Sequence, residues 1–282
     1  MSKIVFVILH YETIDDTKKC IESLMKYTKK NNIEIVVVDN GSKVGKLNDL
    51  EQLYKNNKFI KFIRSDINLG FAKGNNIGFE YAKRNLNPEF IVLTNSDTVF
   101  EQIDFIDKLE NLYEQHKFDV AGPKIISLAD GKNQNPVKRI YNNVNDVKKR
   151  IFKFKILYYL CLINLDRFLK SHFSKEIIEV EKEFDGDIQL HGACLIFSKN
   201  FINTYSGLYD KTFMYGEESI LKYIVERDNM KMMYLDEIEI LHKEGSSTDA
   251  IYGKGRAKRL FFYRWNIKGC EILLELMNEI NS

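Results

Sequence analysis

Three short stretches of this chain put chemically capable side chains directly after apolar runs. Phe90-Ile91-Val92-Leu93-Thr94 breaks into Asn95-Ser96-Asp97, Ile238-Glu239-Ile240-Leu241 ends in His242, and Phe213-Met214-Tyr215-Gly216 leads into the adjacent carboxylates Glu217 and Glu218. A carboxylate and a neutral imidazole can both ligate a divalent cation such as manganese. Two neighbouring carboxylates can divide the work of a general base, one taking a proton while the other positions the group that gives it up. Each stretch also has a plain structural reading. Asn-x-Asp after a strand makes an ordinary turn or helix cap, acidic residues at a helix start are favoured by the helix dipole, and a histidine at a strand end is often a packing residue.

The elements that position these residues begin at the N-terminus. Ile4 to Leu9 predicts a buried strand, the polar break His10-Tyr11-Glu12 follows, and Thr13 to Tyr27 has helical spacing with Ile21, Leu24 and Met25 on its apolar side. Ile35-Val36-Val37-Val38 predicts a second strand ending in Asp39-Asn40-Gly41-Ser42, and Leu47, Leu50 and Leu53 mark an amphipathic segment. Phe59 to Ile63 reads as a third strand and Phe71 to Arg84 as a helix ahead of the Phe90 run. Strands alternating with helices in this way imply right-handed crossovers and a mostly parallel sheet. The carboxyl ends of parallel strands share one edge, where ligands gather.

Two of those ends carry more than a turn requires. Asp39 can accept hydrogen bonds from a ribose hydroxyl or a pyrimidine imide, although Asp-Asn-Gly-Ser is equally an ordinary turn. Asn68-Leu69-Gly70-Phe71-Ala72-Lys73-Gly74-Asn75-Asn76-Ile77-Gly78 repeats glycine every fourth residue at a helix start. Lys73 and the helix N-terminus suit an anion such as pyrophosphate, and close packing of the helix on the sheet explains the glycines equally well.

Composition sets outer bounds. The hydrophobic fraction of 44% is enough for a substantial core, and a net charge of +2 gives no argument for a nucleic-acid partner. Cys20, Cys161, Cys194 and Cys270 are widely spaced, with no zinc or redox pairing, and read as reduced, mostly buried thiols. Met1-Ser2-Lys3 and the apolar run behind it are too short and too poorly flanked for a signal peptide or membrane span, so residence on the cytoplasmic side is expected.

Taken together, Val-Asp-Asn-Gly-Ser at 38–42, Asn-x-Gly-Phe-Ala-x-Gly-Asn-Asn-x-Gly at 68–78 and Leu-Thr-Asn-Ser-Asp at 93–97 resemble family 2 inverting glycosyltransferases of the GT-A fold. The rhamnosyltransferase-like branch that builds bacterial surface polysaccharides is the most similar. The resemblance implies a Rossmann-like α/β domain whose mostly parallel central sheet is flanked by helices. Residues 1–125 would form a nucleotide-sugar half and 126–282 an acceptor and catalytic half, with a helical insertion at about 146–175 and a C-terminal helix. It further implies that Tyr11, Asp39, Asn68, Lys73, Asn75 and Asn95 serve the donor. Asn-Ser-Asp replaces the usual Asp-x-Asp, so that Asp97, completed by His242, would hold manganese or magnesium. Glu218 falls where the family's Gly-Glu-Asp segment has its catalytic Asp, with Glu217 beside it. The expected reaction moves a sugar from a UDP- or dTDP-linked donor to a hydroxyl of a glycan or lipid-linked glycan. Leu190 to Ser198 resembles the family's Gly-Ala strand beside the donor sugar, and Lys243, Ser246 and Ser247 are candidate phosphate contacts. Arg264-Trp265 resembles the end of the Gln-x-x-Arg-Trp motif of processive synthases, but Phe261 holds the Gln position, which favours addition of a single sugar.

Between these motifs, Gln102 to Gln115 predicts a covering helix through Ile103, Ile106, Leu109 and Leu112, Val120 to Pro123 a strand, and Asp130 to Asn145 an exposed loop. Asp185 and Asp187 suit either sugar hydroxyls or an exposed acidic loop. Lys148 to His172 interleaves Lys and Arg with aromatics, as a helix at an anionic membrane surface does; a packed insertion helix or one wall of an acceptor cleft is the alternative. The basic C-terminal helix around Arg256 to Arg264 is open to the same two readings. Competing classes fit poorly. An oxidoreductase of nucleotide-binding fold needs a glycine fingerprint after its first strand, where this chain has His10-Tyr11-Glu12, and a sugar nucleotidyltransferase needs a glycine- and Arg/Lys-rich loop there. A non-catalytic partner that kept the fold is distinguished only by assay.

Overall fold

The computed structural model describes residues 2–28, 32–43, 47–139, 141–166, 188–244 and 255–279. Its strands are β1 (Ile4–His10), β2 (Ile33–Asn40), β3 (Ile60–Ser65), β4 (Phe90–Asn95), β5 (Thr98–Val99), β6 (Val120–Ser127), β7 (Val137–Lys138), β8 (Ile188–Gln189), β9 (Cys194–Ser198) and β10 (Met232–His242). The helices are α1 (Ile14–Thr28), α2 (Asn48–Tyr54), α3 (Phe71–Leu86), α4 (Phe105–His116), α5 (Val144–Leu162), α6 (Lys199–Thr204), α7 (Glu217–Arg227) and α8 (Arg256–Glu279).

One eight-stranded sheet runs β3-β2-β1-β4-β9-β6-β10-β5, and β7 pairs with β8 in a small ribbon beside it. The first four strands in that order are parallel, as the βαβ pattern requires. β9 enters antiparallel between β4 and β6, while β10 returns parallel to β6. The expected Leu190–Ser198 strand is therefore shorter than its apolar run: residues 190–193 turn across the carboxyl edge before β9 begins.

Strands buried on both faces read as unbroken apolar runs, and Ile4 to Ile8 are fully enclosed. Alternate residues feed two cores. Ile4, Phe6, Ile8, Ile35 and Val92 pack with Cys20, Leu24, Leu50 and Leu109 from α1, α2 and α4. Val5, Val7, Val38 and Leu93 pack on the other face with Ala72, Phe79 and Ala82 from α3. A Cβ at Gly74 would lie 2.7 Å from Leu9 Cδ1, and one at Gly78 would lie 2.9 Å from Val38 Cγ2. These two glycines thus bring helix and sheet into contact, which selects the packing reading for them. All four cysteines are free and buried.

Three local expectations are corrected. α4 starts at Phe105 rather than Gln102, leaving Ile103 84% exposed ahead of it. Leu53 is exposed while Leu47 and Leu50 are buried, because α2 offers the core only one narrow stripe. The segment read as an exposed loop at 130–145 is partly anchored: Asn135 is fully buried, with Nδ2 donating to Pro123 O at 2.6 Å and Oδ1 accepting from His191 N at 3.0 Å.

α5 and α8 pack along one another beyond the sheet. Asn143 caps α5 by accepting from the amides of Asn145 and Asp146. Buried Asp166 accepts from Arg259 Nε at 2.6 Å and from Tyr263 at 3.3 Å. The latter part of the expected insertion helix, together with Asp185, Asp187, Ser246 and Ser247, lies outside the described residues.

Candidate active site

At the carboxyl edge, Asp39 closes the end of β2. It is buried, and its Oδ1 accepts from Ser42 N at 3.0 Å. The following Asn40, which sequence reasoning gave no role, clamps the next loop. Its Nδ2 donates to Asn68 Oδ1 (3.2 Å) and Gly70 O (3.0 Å), and its Oδ1 accepts from Leu69 N (3.0 Å). Gly70 then turns at φ 85° against the backbone of Phe213, whose carbonyl accepts from Phe71 N at 2.7 Å. A side chain at this position would be strained in conformation and would collide with that carbonyl. The start of α3 is thereby tied to the loop that carries the carboxylates. Asn76 adds a second tie, donating to Leu208 O at 2.7 Å and accepting from Leu208 N at 2.8 Å. Lys73 is exposed on α3, and Tyr11 is half-buried at the end of β1. Asn75 is buried, with Nδ2 donating to Phe71 O at 3.0 Å and Oδ1 without a partner.

Asp97 and His242 meet where β4 and β10 end. His242 Nε2 lies 3.3 Å from Asp97 Oδ1, and both side chains are nearly enclosed. The opposite ring nitrogen, Nδ1, lies 2.8 Å from Gln134 Oε1. An amide oxygen only accepts, so Nδ1 donates to Gln134, and Nε2 is the ring nitrogen that faces the carboxylate. This donor set, an oriented imidazole facing a carboxylate, fits a divalent cation and has the partner that metal-binding histidines ordinarily keep on their second nitrogen. Among the described residues no group of three or more His, Cys, Asp or Glu is placed to hold a metal, so the protein offers two such ligands here. Gln134 lies in the segment expected to be a plain loop, and no pattern in the sequence marked it.

The turn at residues 191–193 connects this pair to the carboxylates. Ala193 O accepts from Asn95 N at 3.0 Å, fastening the turn to the end of β4. The His191 ring stands 5.7 Å from that of His242. Its Nδ1 accepts from Ala193 N at 3.1 Å, and burial, then the neighbouring His242, pushes its pKa down to about 4, so the ring is neutral. On the other side of the turn, a Cβ at Gly192 would lie 2.7 Å from Glu218 Oε1. Glycine here lets the carboxylate approach the chain.

Glu217 and Glu218 open α7 after Gly216. Glu217 is 5% exposed and its Oε1 has no hydrogen-bond partner. Burial, reinforced by the adjacent Glu218 charge, pushes its pKa up to about 8. Burial also raises Glu218, and the Gly192 amide works against that rise. Glu218 is the less enclosed of the two. Behind them, Phe213 stacks on Trp265 (4.8 Å) and Tyr215 meets Phe262 (5.0 Å), so α8 supports the loop that presents both carboxylates.

The fold thus gathers Asp97, His242, Glu218 and the turn between them, with Asp39 and Asn68 farther along the same edge. Asn95 contributes its backbone amide to the turn. Lys243, expected at phosphate, instead donates to Asp16 at 2.8 Å.

Residues 5–171 match the model for Glycosyl transferase family 2. The low-salt glycan biosynthesis hexosyltransferase Agl10 of Haloferax volcanii is 22% identical over 242 residues, which cover 84% of this chain and 66% of that protein. S. aureus TarS 1-349 in complex with UDP superposes with a TM-score of 0.54 at 15% identity, over 86% of this chain and 60% of the other. GalNAc-T7 with UDP, GalNAc and Mn2+ gives 0.58 at 13% identity, over 86% and 44%. The chain spans about two thirds or less of the length of these proteins. The superpositions establish the GT-A fold, α/β with a mostly parallel sheet flanked by helices. With the family model covering more than half of its length, this chain belongs to glycosyl transferase family 2 and is a glycosyltransferase.

Proposed function

We propose that the protein transfers one sugar, with inversion, from a nucleoside-diphosphate donor to a hydroxyl of a glycan or lipid-linked glycan on the cytoplasmic side of the membrane. The observation that carries this reading is the joining of two sites through one turn: His191 lies beside His242, and Gly192 lies beside Glu218. A leaving-group site and a base on either side of the anomeric carbon are what an in-line displacement needs. The donor's nucleoside belongs at Asp39, with Tyr11, Asn68, Lys73, Asn75 and Asn95 as the further donor-side candidates. UDP or dTDP is the expected nucleotide, since Asp39 can accept from a pyrimidine imide.

Asp97 and His242 would hold a divalent manganese or magnesium ion, which supplies neutralisation of the diphosphate's negative charge. Glu218 takes the acceptor hydroxyl's proton as that oxygen bonds to the anomeric carbon and the bond to the diphosphate breaks. Glu217, the more enclosed carboxyl, keeps its proton at neutral pH and donates a hydrogen bond that orients the acceptor. This division rests on the pair's electrostatics: both carboxyls are raised by burial, and once Glu218, the more accessible to solvent, is ionised, its charge holds the proton on Glu217. Residues 1–125 thus serve the donor, and 126–282 the acceptor and the proton transfer, with His242 reaching back from the second half to the donor's cation.

A panel of UDP-, dTDP- and GDP-sugars, offered with manganese and an acceptor glycan, tests the reading through nucleoside-diphosphate release and the anomeric configuration of the product. Release from one nucleotide class with inverted configuration is expected. Failure of every donor to bind, or retention of configuration, would overturn it.

A further inference from the structure

α5 is apolar on both sides. Ile151, Phe154, Leu157 and Cys161 face inward, packing toward α7 and α8. Phe152, Ile156, Tyr159 and Ile163 follow one another at steps of four, three and four residues, which lines them along the opposite face. They are 67%, 38%, 66% and 63% exposed. A helix on a globular surface ordinarily turns polar residues outward, so this stripe calls for a partner. On the helical wheel Lys148 flanks it on one side and Lys149 on the other, while Lys155, beside Lys148, is paired with Glu271 of α8 at 3.1 Å. No Asp or Glu occurs between residues 147 and 165.

We propose that this face of α5 docks the enzyme onto an anionic lipid bilayer, the stripe entering the interface and the lysines meeting the headgroups. Charge decides between occupants. A second copy of the chain would set the same lysines against each other across a two-fold interface, whereas a negatively charged bilayer is complementary to them. The helix lies on the surface: among the described residues no helix is long and apolar enough to cross a membrane. Docking would also bear on catalysis. Phe154 of α5 meets Phe262 of α8 at 5.9 Å, and Phe262 meets Tyr215 at 5.0 Å, so the docked helix leads directly to the loop before Glu217. An acceptor held in the bilayer would be presented to that loop.

The test is flotation of the full chain with vesicles of phosphatidylcholine alone and of phosphatidylcholine mixed with phosphatidylglycerol, at low and high salt, beside sedimentation without lipid. Binding to the anionic vesicles is expected, weakened by salt. Phe152→Ser/Ile156→Ser should lower it about tenfold or more, and Lys148→Glu/Lys149→Glu should lower it comparably. These side chains lie on the surface, so circular dichroism and nucleotide affinity should stay unchanged in both variants. Absence of vesicle binding by the wild type, equal binding by the variants, or a dimer that Phe152→Ser/Ile156→Ser dissociates would overturn the proposal. Asp97→Ala should float like the wild type, which separates this test from that of the transfer reaction.

Discussion

At the residue scale, the proposed transfer gives two adjacent carboxyls, Glu217 and Glu218, different roles. Replacing the proposed base by Glu218→Gln should lower kcat by about 10²–10⁴ while leaving donor affinity near the wild-type value, as single-turnover kinetics and nucleotide titration can check. Glu217→Gln should be milder, since an amide still donates the hydrogen bond that the protonated acid supplies. Glu217 also links pH to stability. Its folded pKa of about 8 stands above the ordinary 4.5, so from pH 4.5 upward the folded state holds a proton that the unfolded chain has released. Stability is therefore fully present below 4.5 and falls as pH rises toward 8, by at most about 1.4 kcal/mol per pH unit for one proton. Denaturant unfolding across that range should show a slope in the wild type that is reduced in Glu217→Gln.

At the scale of elements, the loops ending the parallel strands are held by hydrogen bonds that composition does not reveal. Asn40→Ala removes three of them from a buried side chain. It should cost about 1–3 kcal/mol in urea unfolding and weaken nucleotide binding, because the Asn68 loop loses its clamp. The parallel half was legible from the sequence, since fully buried strands and their crossover helices impose unmistakable periods on β1 to β4. The site's polar ends were legible for the same reason: apolar runs stop where strands reach the edge. Gln134, Asn135 and Asn40 were not, because their value lies in partners far along the chain, such as His242 and His191, that no local pattern announces. β9 was read as a strand, but an apolar run looks the same in either direction, so its antiparallel insertion was invisible. The family match ends at residue 171, so Glu217, Glu218 and His242 rest on motif resemblance and on geometry.

At the scale of the whole molecule, one sheet carries both the donor-side loops from the first half and His242 from the second, and the turn at 191–193 joins them to α7. α8 braces the same loop from outside through Phe213, Tyr215 and Trp265. The proposed transfer needs this joint to act as a single site in which nucleotide and cation bind together at the Asp97–His242 pair. Calorimetric titration of UDP and dTDP into the wild type and Asp97→Ala, each with manganese and with chelator, tests that requirement without needing the acceptor. The expected result is that one nucleotide binds the wild type at least tenfold more tightly with manganese, a difference of about 1.4 kcal/mol, and that Asp97→Ala abolishes the gain. Equal affinity with manganese and with chelator, or a manganese gain undiminished in Asp97→Ala, would contradict the assignment of this edge as the donor and cation site.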